Sequence, residues 1–160
     1  MISPGQIKAL ALDFDGVLTD GAIWWGPDGQ EWKKLHFRDI MGVSLASKAG
    51  LILGIISGEN SLLIDRYATK MSIQHVFKGI KDKASALKTF SVNIHAELTE
   101  IAYMGDDVND LKAMELAGLS AVPSDAHPEN LAIAGFHSQF PGGAGAVREF
   151  IDFLLKNRQP

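Results

Sequence analysis

The chain has 160 residues, 46% hydrophobic and 21% charged, enough for one domain around a single core and too few for two catalytic domains. Fifteen Lys and Arg against nineteen Asp and Glu give a formal charge of −4 with no basic cluster, which argues against a nucleic-acid partner. The absence of cysteine excludes disulfides, a thiolate nucleophile and a cysteine zinc site; Met1-Ile2-Ser3-Pro4-Gly5 has no leader character and no apolar run nears the ~20 residues of a membrane span, so the expectation is a cytoplasmic protein with no membrane partner.

Short apolar runs, each followed by a turn and a helix-like stretch, predict repeated βα units and hence a doubly wound, mainly parallel α/β sheet in one domain over residues 1–160. The first strand spans Ile7 to Leu12, interrupted only by Lys8, and ends at Asp13; such continuity suits a strand covered on both faces. Ala22 to Trp25 and Glu31 to Phe37 flank Gly26-Pro27-Asp28-Gly29, where proline presets one dihedral and glycine permits positive φ, so this piece reads as an inserted β-hairpin. A helix over Gly42 to Lys48 leads to strand Leu51 to Ile56, which ends at Ser57-Gly58. The next helix, Ser61 to about Met71, spaces Leu62, Leu63, Arg66 and Lys70 so as to set an apolar side against a basic one. His75 to Phe77 is a short strand, Lys83 opens a helix, and strand Ile101 to Met104 runs into Gly105-Asp106-Asp107. Helix Val108 to Ala117 stops at Gly118, the place of a left-handed C-terminal cap. Ser120 to Val122 and Phe136 to Gln139 are the last strands, and Gly142-Gly143-Ala144-Gly145 precedes an amphipathic helix, Ala146 to Lys156.

Asp13 and Asp15 stand two apart at the end of the first strand, so an extended backbone turns both carboxylates to one side. Open α/β sheets bind ligands beyond the carboxyl ends of their strands, and Ser57 and Asp106-Asp107 also follow directly on predicted strands. Three loops thus converge with the parts that phosphoryl transfer needs: a carboxylate nucleophile, a second carboxylate as general acid and base, a hydroxyl and an ammonium for the phosphoryl oxygens, and carboxylates for a hard divalent cation. Crowding Asp13, Asp15, Asp106 and Asp107 at one sheet edge demands positive charge among them, which magnesium supplies. Alone, Asp-x-Asp-Gly fits a structural turn equally well, and Lys83 fits a solvated helix start, with Lys81 as a competitor; the combination points to catalysis. The histidines, at positions 36, 75, 95, 127 and 137, have no metal-ligand spacing.

Asp13-Phe14-Asp15-Gly16-Val17-Leu18-Thr19-Asp20, Ser57 after a strand, Lys83, and Gly105-Asp106-Asp107-Val108-Asn109-Asp110 resemble, in order, the four motifs of the haloacid dehalogenase-like phosphatases, over nearly the whole chain. Leu18-Thr19-Asp20-Gly21, the Trp-containing hairpin, His36-Phe37-Arg38-Asp39 and the stretch from Gly142 to Glu149 resemble the capless sugar-acid branch, whose substrates are phosphorylated 3-deoxy-2-keto sugar acids such as 3-deoxy-D-manno-octulosonate 8-phosphate. The resemblance implies a Rossmann-type fold without a cap, with Asp13 as nucleophile and Asp15 as acid and then base. It implies magnesium held by a carboxylate oxygen of Asp13, the main-chain carbonyl of Asp15 and a carboxylate of Asp106, with Asp107 and Asp110 supporting from behind. Ser57 and Lys83, favoured over Lys81 by the motif, would take the phosphoryl oxygens. Thr19, Gly58, Arg66 and Asn109 fall on the substrate side, and Arg38 suits a keto-acid carboxylate. Glu59 and Lys70 resemble instead relatives acting on nine-carbon nononate 9-phosphates, since the octulosonate enzymes tend to carry Arg at the position of Glu59; Ile40 also departs from the glycine that usually follows Arg-Asp.

Only twenty-five residues separate Ser57 from Lys83, taken up by a helix and a short strand, so no cap domain is inserted there. A phosphoryl site that keeps water out still needs a cover, and neighbouring subunits of a homo-oligomer would provide it; the resemblance implies a homotetramer. Trp24, Trp25 and Trp32 crowd one short stretch of an aromatic-poor chain and suit either such an interface or ordinary hairpin packing. A receiver-type signalling domain uses the same residue types but places its acidic pair first and its lysine last. A non-catalytic oligomerisation module, of the kind fused to sugar-acid nucleotidyltransferases, would not need Asp13, Asp15, Lys83 and Asp106. Gly142-Gly143-Ala144-Gly145 fits a flexible turn or a carboxylate-binding helix start.

Overall fold

The alternation Ala9-Leu10-Ala11-Leu12 builds the central strand and decides what packs on each of its faces. The computed structural model describes residues 4–158; residues 1–3, part of the start expected to lack a leader, and 159–160 lie outside the described residues. In chain order the strands are β1 (Ala9–Leu12), β2 (Trp24–Trp25), β3 (Glu31–Trp32), β4 (Ile52–Ile56), β5 (His75–Phe77), β6 (Ile101–Met104), β7 (Leu119–Val122) and β8 (Phe136–His137). The α-helices are α1 (Phe37–Lys48), α2 (Leu62–Met71), α3 (Lys83–Asn93), α4 (Leu111–Leu116), α5 (Pro128–Ile133) and α6 (Ala146–Asn157).

Six strands pair in parallel in the order β5-β4-β1-β6-β7-β8, while β2 and β3 form a separate antiparallel hairpin. The chain winds from β1 through β4 to β5, returns to the other side of β1 as β6, and winds on to β8. That reversal is the doubly wound topology expected, and it opens a crevice at the carboxyl ends of β1, β4 and β6. Leu10 and Leu12 pack with Val43 of α1, Ile64 of α2, and Phe150, Ile151 and Leu154 of α6. Ala9 and Ala11 face Leu87 and Phe90 of α3 and Met114 of α4. Each fully buried Leu or Phe stabilises the fold by about 1.5–3 kcal/mol.

A buried carboxylate also joins α1 to α6. Asp39 is 1% exposed and accepts hydrogen bonds from the backbone N of Gly145 (3.1 Å) and Arg148 (2.9 Å). Burial raises its pKa, against the opposing pull of those amides at the start of α6. Just before, Gly142 and Gly143 press on the loop after β1: a Cβ on Gly142 would lie 1.8 Å from the carbonyl oxygen of Gly16, and one on Gly143 2.4 Å from the backbone N of Asp20. The glycine-rich segment is therefore a close-packed seat for that loop, and the carboxylate at its helix start is the chain's own Asp39.

Local hydrogen bonds explain the departures from expectation. Helix α1 begins at Phe37 instead of Gly42 because His36 Nδ1 accepts from the backbone N of Arg38 at 3.2 Å and caps it. The second hairpin arm correspondingly shrinks to Glu31–Trp32, with one further bridge between Leu35 and Thr19. Helix α5 was not expected; Pro128 opens it and His127 Nδ1 caps it by accepting from the backbone N of Glu129. Gly118 is no left-handed cap, since it is not among the positive-φ residues; a Cβ there would lie 1.8 Å from the carbonyl oxygen of Thr99, so clearance demands the glycine. Val108–Asp110 is a 3-10 turn leading into α4. On α2 the buried residues are Ile64, Tyr67 and Ala68, and Leu62, 81% exposed, stands apart from that apolar side. Among the described residues no helix is long and apolar enough to cross a membrane.

Candidate active site

Where the alternation of β1 would next bury a small side chain, the chain carries Asp13, only 5% exposed. Its Oδ1 accepts from the backbone N of Phe14 at 2.7 Å and caps a short helical turn over Phe14–Leu18. Asp13 and Asp15 keep extended dihedrals within this loop, and both line one cavity, as their spacing predicted. Gly16 sits at φ 83, and a Cβ there would lie 2.0 Å from Asp106 Oδ2, so two loops meet through a glycine. Thr19 is fully buried; its Oγ1 accepts from the backbone N of Gly16 and Gly21 and donates to Asp15 Oδ1 at 3.4 Å. It braces the loop and is not among the residues that line the cavity shared by Asp13 and Asp15, whereas the resemblance implies a place on the substrate side.

Lys83, the first residue of α3, is 2% exposed, and its Nζ lies 2.8 Å from both Asp13 Oδ2 and Asp110 Oδ1. Lys81 is exposed at the surface, which decides between the two lysines. Tyr103 OH donates to Asp110 Oδ1 at 2.6 Å, and the backbone N of Asp106 and of Asp107 donate to Asp110 Oδ2. Asp110 is thus fully engaged in holding the loop, while Asp107 Oδ1 accepts from the backbone N of Val108. Burial, then Asp110, raises the pKa of Asp13 well above the ordinary carboxylate range despite Lys83. The same causes push Asp106 up to about 7. Burial would lower Lys83, but Asp13 and Asp110 outweigh it and hold its pKa above the ordinary value. Negative charge therefore exceeds positive charge here.

Oxygens of Asp13, Asp106 and Asp110 lie within 4.8 Å of one another. With Asp110 taken, Asp13 and Asp106 remain for a cation, and Asp106 Oδ1 is buried without a hydrogen-bond partner. Hard oxygen donors, an orphaned carboxylate oxygen and surplus negative charge fit magnesium.

Asp13, Asp15, Ser57, Gly58, Glu59, Lys83, Asp106, Asp107 and Asn109 line a cavity of about 250 Å³ at the crevice. Ser57, 1% exposed, follows β4, and its Oγ accepts from the backbone N of Glu59. Three expected residues fall elsewhere. Arg66 lines a second cavity of about 640 Å³ between β3 and α2, and Lys70 lies exposed farther along α2. Arg38 lines a third, of about 350 Å³, with Phe140 and Arg148, because the early start of α1 carries it to the α6 side. Conversely, Lys33 was not anticipated. Its Nζ lies 2.8 Å from Asp15 Oδ1 and its side chain is 4% exposed, although Glu31-Trp32-Lys33-Lys34 reads as a polar hairpin arm. The one signal was a lysine on the inward phase of that arm.

The profile of the haloacid dehalogenase-like hydrolases matches residues 33–150, which takes in Ser57, Lys83 and Asp106 to Asp110 but starts after Asp13 and Asp15. The chain is 36% identical over 155 residues to the 3-deoxy-D-manno-octulosonate 8-phosphate phosphatase of Escherichia coli strain B / BL21-DE3, covering 97% of this chain and 82% of that protein. It is 35% identical over 150 residues to the enzyme of that name from Yersinia pestis, covering 94% and 80%. The crystal structure of the Moraxella catarrhalis 3-deoxy-D-manno-octulosonate 8-phosphate phosphatase, in complex with magnesium, phosphate and KDO, superposes with a TM-score of 0.95 at 35% identity, over 97% of this chain and 89% of that one.

Proposed function

The chain belongs to the haloacid dehalogenase-like hydrolase family, as a phosphoric monoester hydrolase, and on that premise we propose that it dephosphorylates 3-deoxy-D-manno-octulosonate 8-phosphate as a magnesium-dependent, cytoplasmic homotetramer of single-domain subunits. The observation that carries this reading is the meeting of Asp13, Asp15, Ser57, Lys83 and Asp106 at one cavity. An oxygen of Asp13 attacks phosphorus and the bond from phosphorus to the sugar oxygen breaks as Asp15 protonates that oxygen. Asp15 then takes a proton from water as the water attacks the aspartyl-phosphate, which frees Asp13 and releases orthophosphate. Ser57 and Lys83 offset the charge that grows on the phosphoryl oxygens. Magnesium, which Asp13, Asp106 and the main-chain carbonyl of Asp15 would hold, supplies further neutralisation of that charge.

The cavity, about 250 Å³, falls below the ~300–1,000 Å³ of ordinary ligand clefts, so the sugar extends beyond it. A larger cavity, lined by Asn60, Ser61 and Arg66, follows in the chain directly on Ser57-Gly58-Glu59 of the site wall, and this supports Arg66 on the substrate side. Trp24, Trp25 and Trp32 are 70%, 75% and 51% exposed, which supports the hairpin as the face on which neighbouring subunits meet and cover the site.

A panel of phosphorylated sugar acids, assayed for phosphate release with and without magnesium, tests the reading; kcat/KM is expected to be highest for the eight-carbon 8-phosphate and to vanish on chelation. A second reading, a nine-carbon nononate 9-phosphate as substrate, rests on Glu59 in the cavity wall. Its carboxylate accepts hydrogen bonds from sugar hydroxyls and repels a nearby substrate carboxylate. Glu59→Arg is therefore expected to shift the kcat/KM ratio toward the eight-carbon substrate by roughly tenfold. An unchanged ratio would show that Glu59 does not read the sugar.

Metal binding has a readout of its own. Because the pKa of Asp106 is raised from 3.8 to about 7, the native state holds a proton that the unfolded chain has lost between those values, and stability falls as pH rises through that window. Magnesium on Asp106 removes the penalty. Saturating magnesium is expected to raise Tm more at pH 8 than at pH 5, and Asp106→Asn to abolish the difference; equal shifts at both pH values in the wild type would contradict the assignment.

A further inference from the structure

Lys33 lies outside every motif of the site, yet among the described residues no other cation pairs with Asp15. Its Nζ stands 2.8 Å from Asp15 Oδ1, 2.9 Å from Asp15 Oδ2 and 3.3 Å from Glu31 Oε1. It passes over the Phe14 ring, 5.9 Å from the centroid. Glu31 Oε1 in turn accepts from Ser61 Oγ at 2.8 Å, and Ser61 caps α2 by accepting from the backbone N of Leu63. An ammonium this well buried loses hydration that only specific partners replace, so its place is set by Asp15 and Glu31 and not by solvent.

We propose that Lys33 is a positioning residue for the leaving-group step: by gripping both oxygens of Asp15 it holds that carboxylate in the orientation from which it serves the sugar oxygen, and through Glu31 and Ser61 it ties that orientation to the hairpin and to α2. The inference rests on the reading of Asp15 as acid and base. Left alone, the Asp15 carboxylate turns about two single bonds. Thr19 Oγ1, at 3.4 Å, is too distant to hold it firmly, since hydroxyl donors bond at about 2.5–3.0 Å. The charge-assisted grip of Lys33 is the stronger restraint. A catalytic group displaced by about 1 Å costs up to ~10²-fold in rate.

The test compares Lys33→Met, Asp15→Asn, the double variant and Lys33→Arg on the sugar-acid phosphate and on 4-nitrophenyl phosphate. The quantity kcat/KM reports the steps through departure of the leaving group, where a sugar oxygen needs a proton and 4-nitrophenolate needs little. Asp15→Asn is expected to lower the value for the sugar ester by about 10²–10⁴-fold. Lys33→Met is expected to lower it by about 10–100-fold, and that for the aryl ester by less than about threefold. The double variant should be no worse than Asp15→Asn alone, the non-additivity of two residues acting through one group. Lys33→Arg, which keeps the cation, should restore most of the preference between the esters.

A merely structural Lys33 would slow both esters alike. Equal losses in Lys33→Met, or losses that multiply in the double variant, overturn the inference while Asp15→Asn keeps its selectivity. If Asp15→Asn itself slows both esters alike, the acid role of Asp15 fails and the positioning role falls with it. Should Lys33→Met melt below the assay temperature, the ester ratio in Lys33→Arg decides: a ratio near that of the wild type supports the proposal and any other counts against it.

Discussion

Asp13→Asn is expected to lower turnover by about 10⁵–10⁶-fold, the scale on which enzymes lose their nucleophile, while the protein remains folded. An amide does not form the acyl-phosphate. Stability should hold because the substitution removes a charge that the site already disfavours: burial and Asp110 raise the pKa of Asp13 well above the carboxylate range. Lys83 keeps its second partner, Asp110 Oδ1, at 2.8 Å. Without magnesium, the variant should melt at or above the wild-type temperature at pH 8. Phosphate release and a thermal melt on one preparation check both halves. Turnover within about tenfold of the wild type would remove Asp13 from the chemistry.

Lys83→Met should show the opposite balance, losing stability as well as rate. Its ammonium, 1% exposed at the side chain, is the one cation within bonding distance of the Asp13 and Asp110 carboxylates among the described residues. Removing one partner of a buried ion pair typically costs about 3–5 kcal/mol, because the remaining charges stay buried and uncompensated. Losing a group that stabilises charge in the transition state adds a rate loss of about 10²–10³-fold. The stranded carboxylates then bind protons more readily in the native state than in the unfolded one, so the stability deficit should shrink from pH 8 to pH 5. Urea unfolding at the two pH values, with and without magnesium, measures this. A pH-independent deficit would mean that packing of the lysine stem, and not its charge, is what the site loses.

Asp13, Ser57 and the stretch from Asp106 to Asp110 were legible in the sequence because each follows a buried apolar run, and the end of a parallel strand is a position that hydrophobicity marks. The resemblance to the family was carried by the same residues, and the comparisons agree with it. What escaped depends on contacts between segments distant in the chain. Lys33 is bound to Asp15, eighteen positions away, and along the chain only the alternation of a short hairpin arm sets it apart from its neighbour Lys34, which pairs at the surface with Asp20. Gly142 and Gly143 look like a flexible loop until Gly16 and Asp20 are seen against them. The start of α1 at Phe37 went unread because its cap, His36, is of an uncommon type, and that start places Arg38 in the cavity beside Phe140 and Arg148. Packing and capping thus rearranged the periphery, while the strand ends that carry the chemistry stayed where the pattern put them.

The clasp between Asp39 and the start of α6 spans 106 positions. It therefore governs how the molecule comes into being on a ribosome. Phe150, Ile151 and Leu154 complete the layer over Leu10 and Leu12 that Val43 and Ile64 begin, so that side of β1 stays half-covered until the codons for α6 are read. At about 5–20 residues per second, a nascent chain carries that greasy face for roughly 5–25 s after α1 emerges, an interval in which chaperones compete with aggregation. Translation stalled before the codons for α6 yields no smaller working enzyme, only a half-clad sheet with Asp39 deprived of its amides, and degradation of such stubs is the outcome to look for in a cell that interrupts the message there.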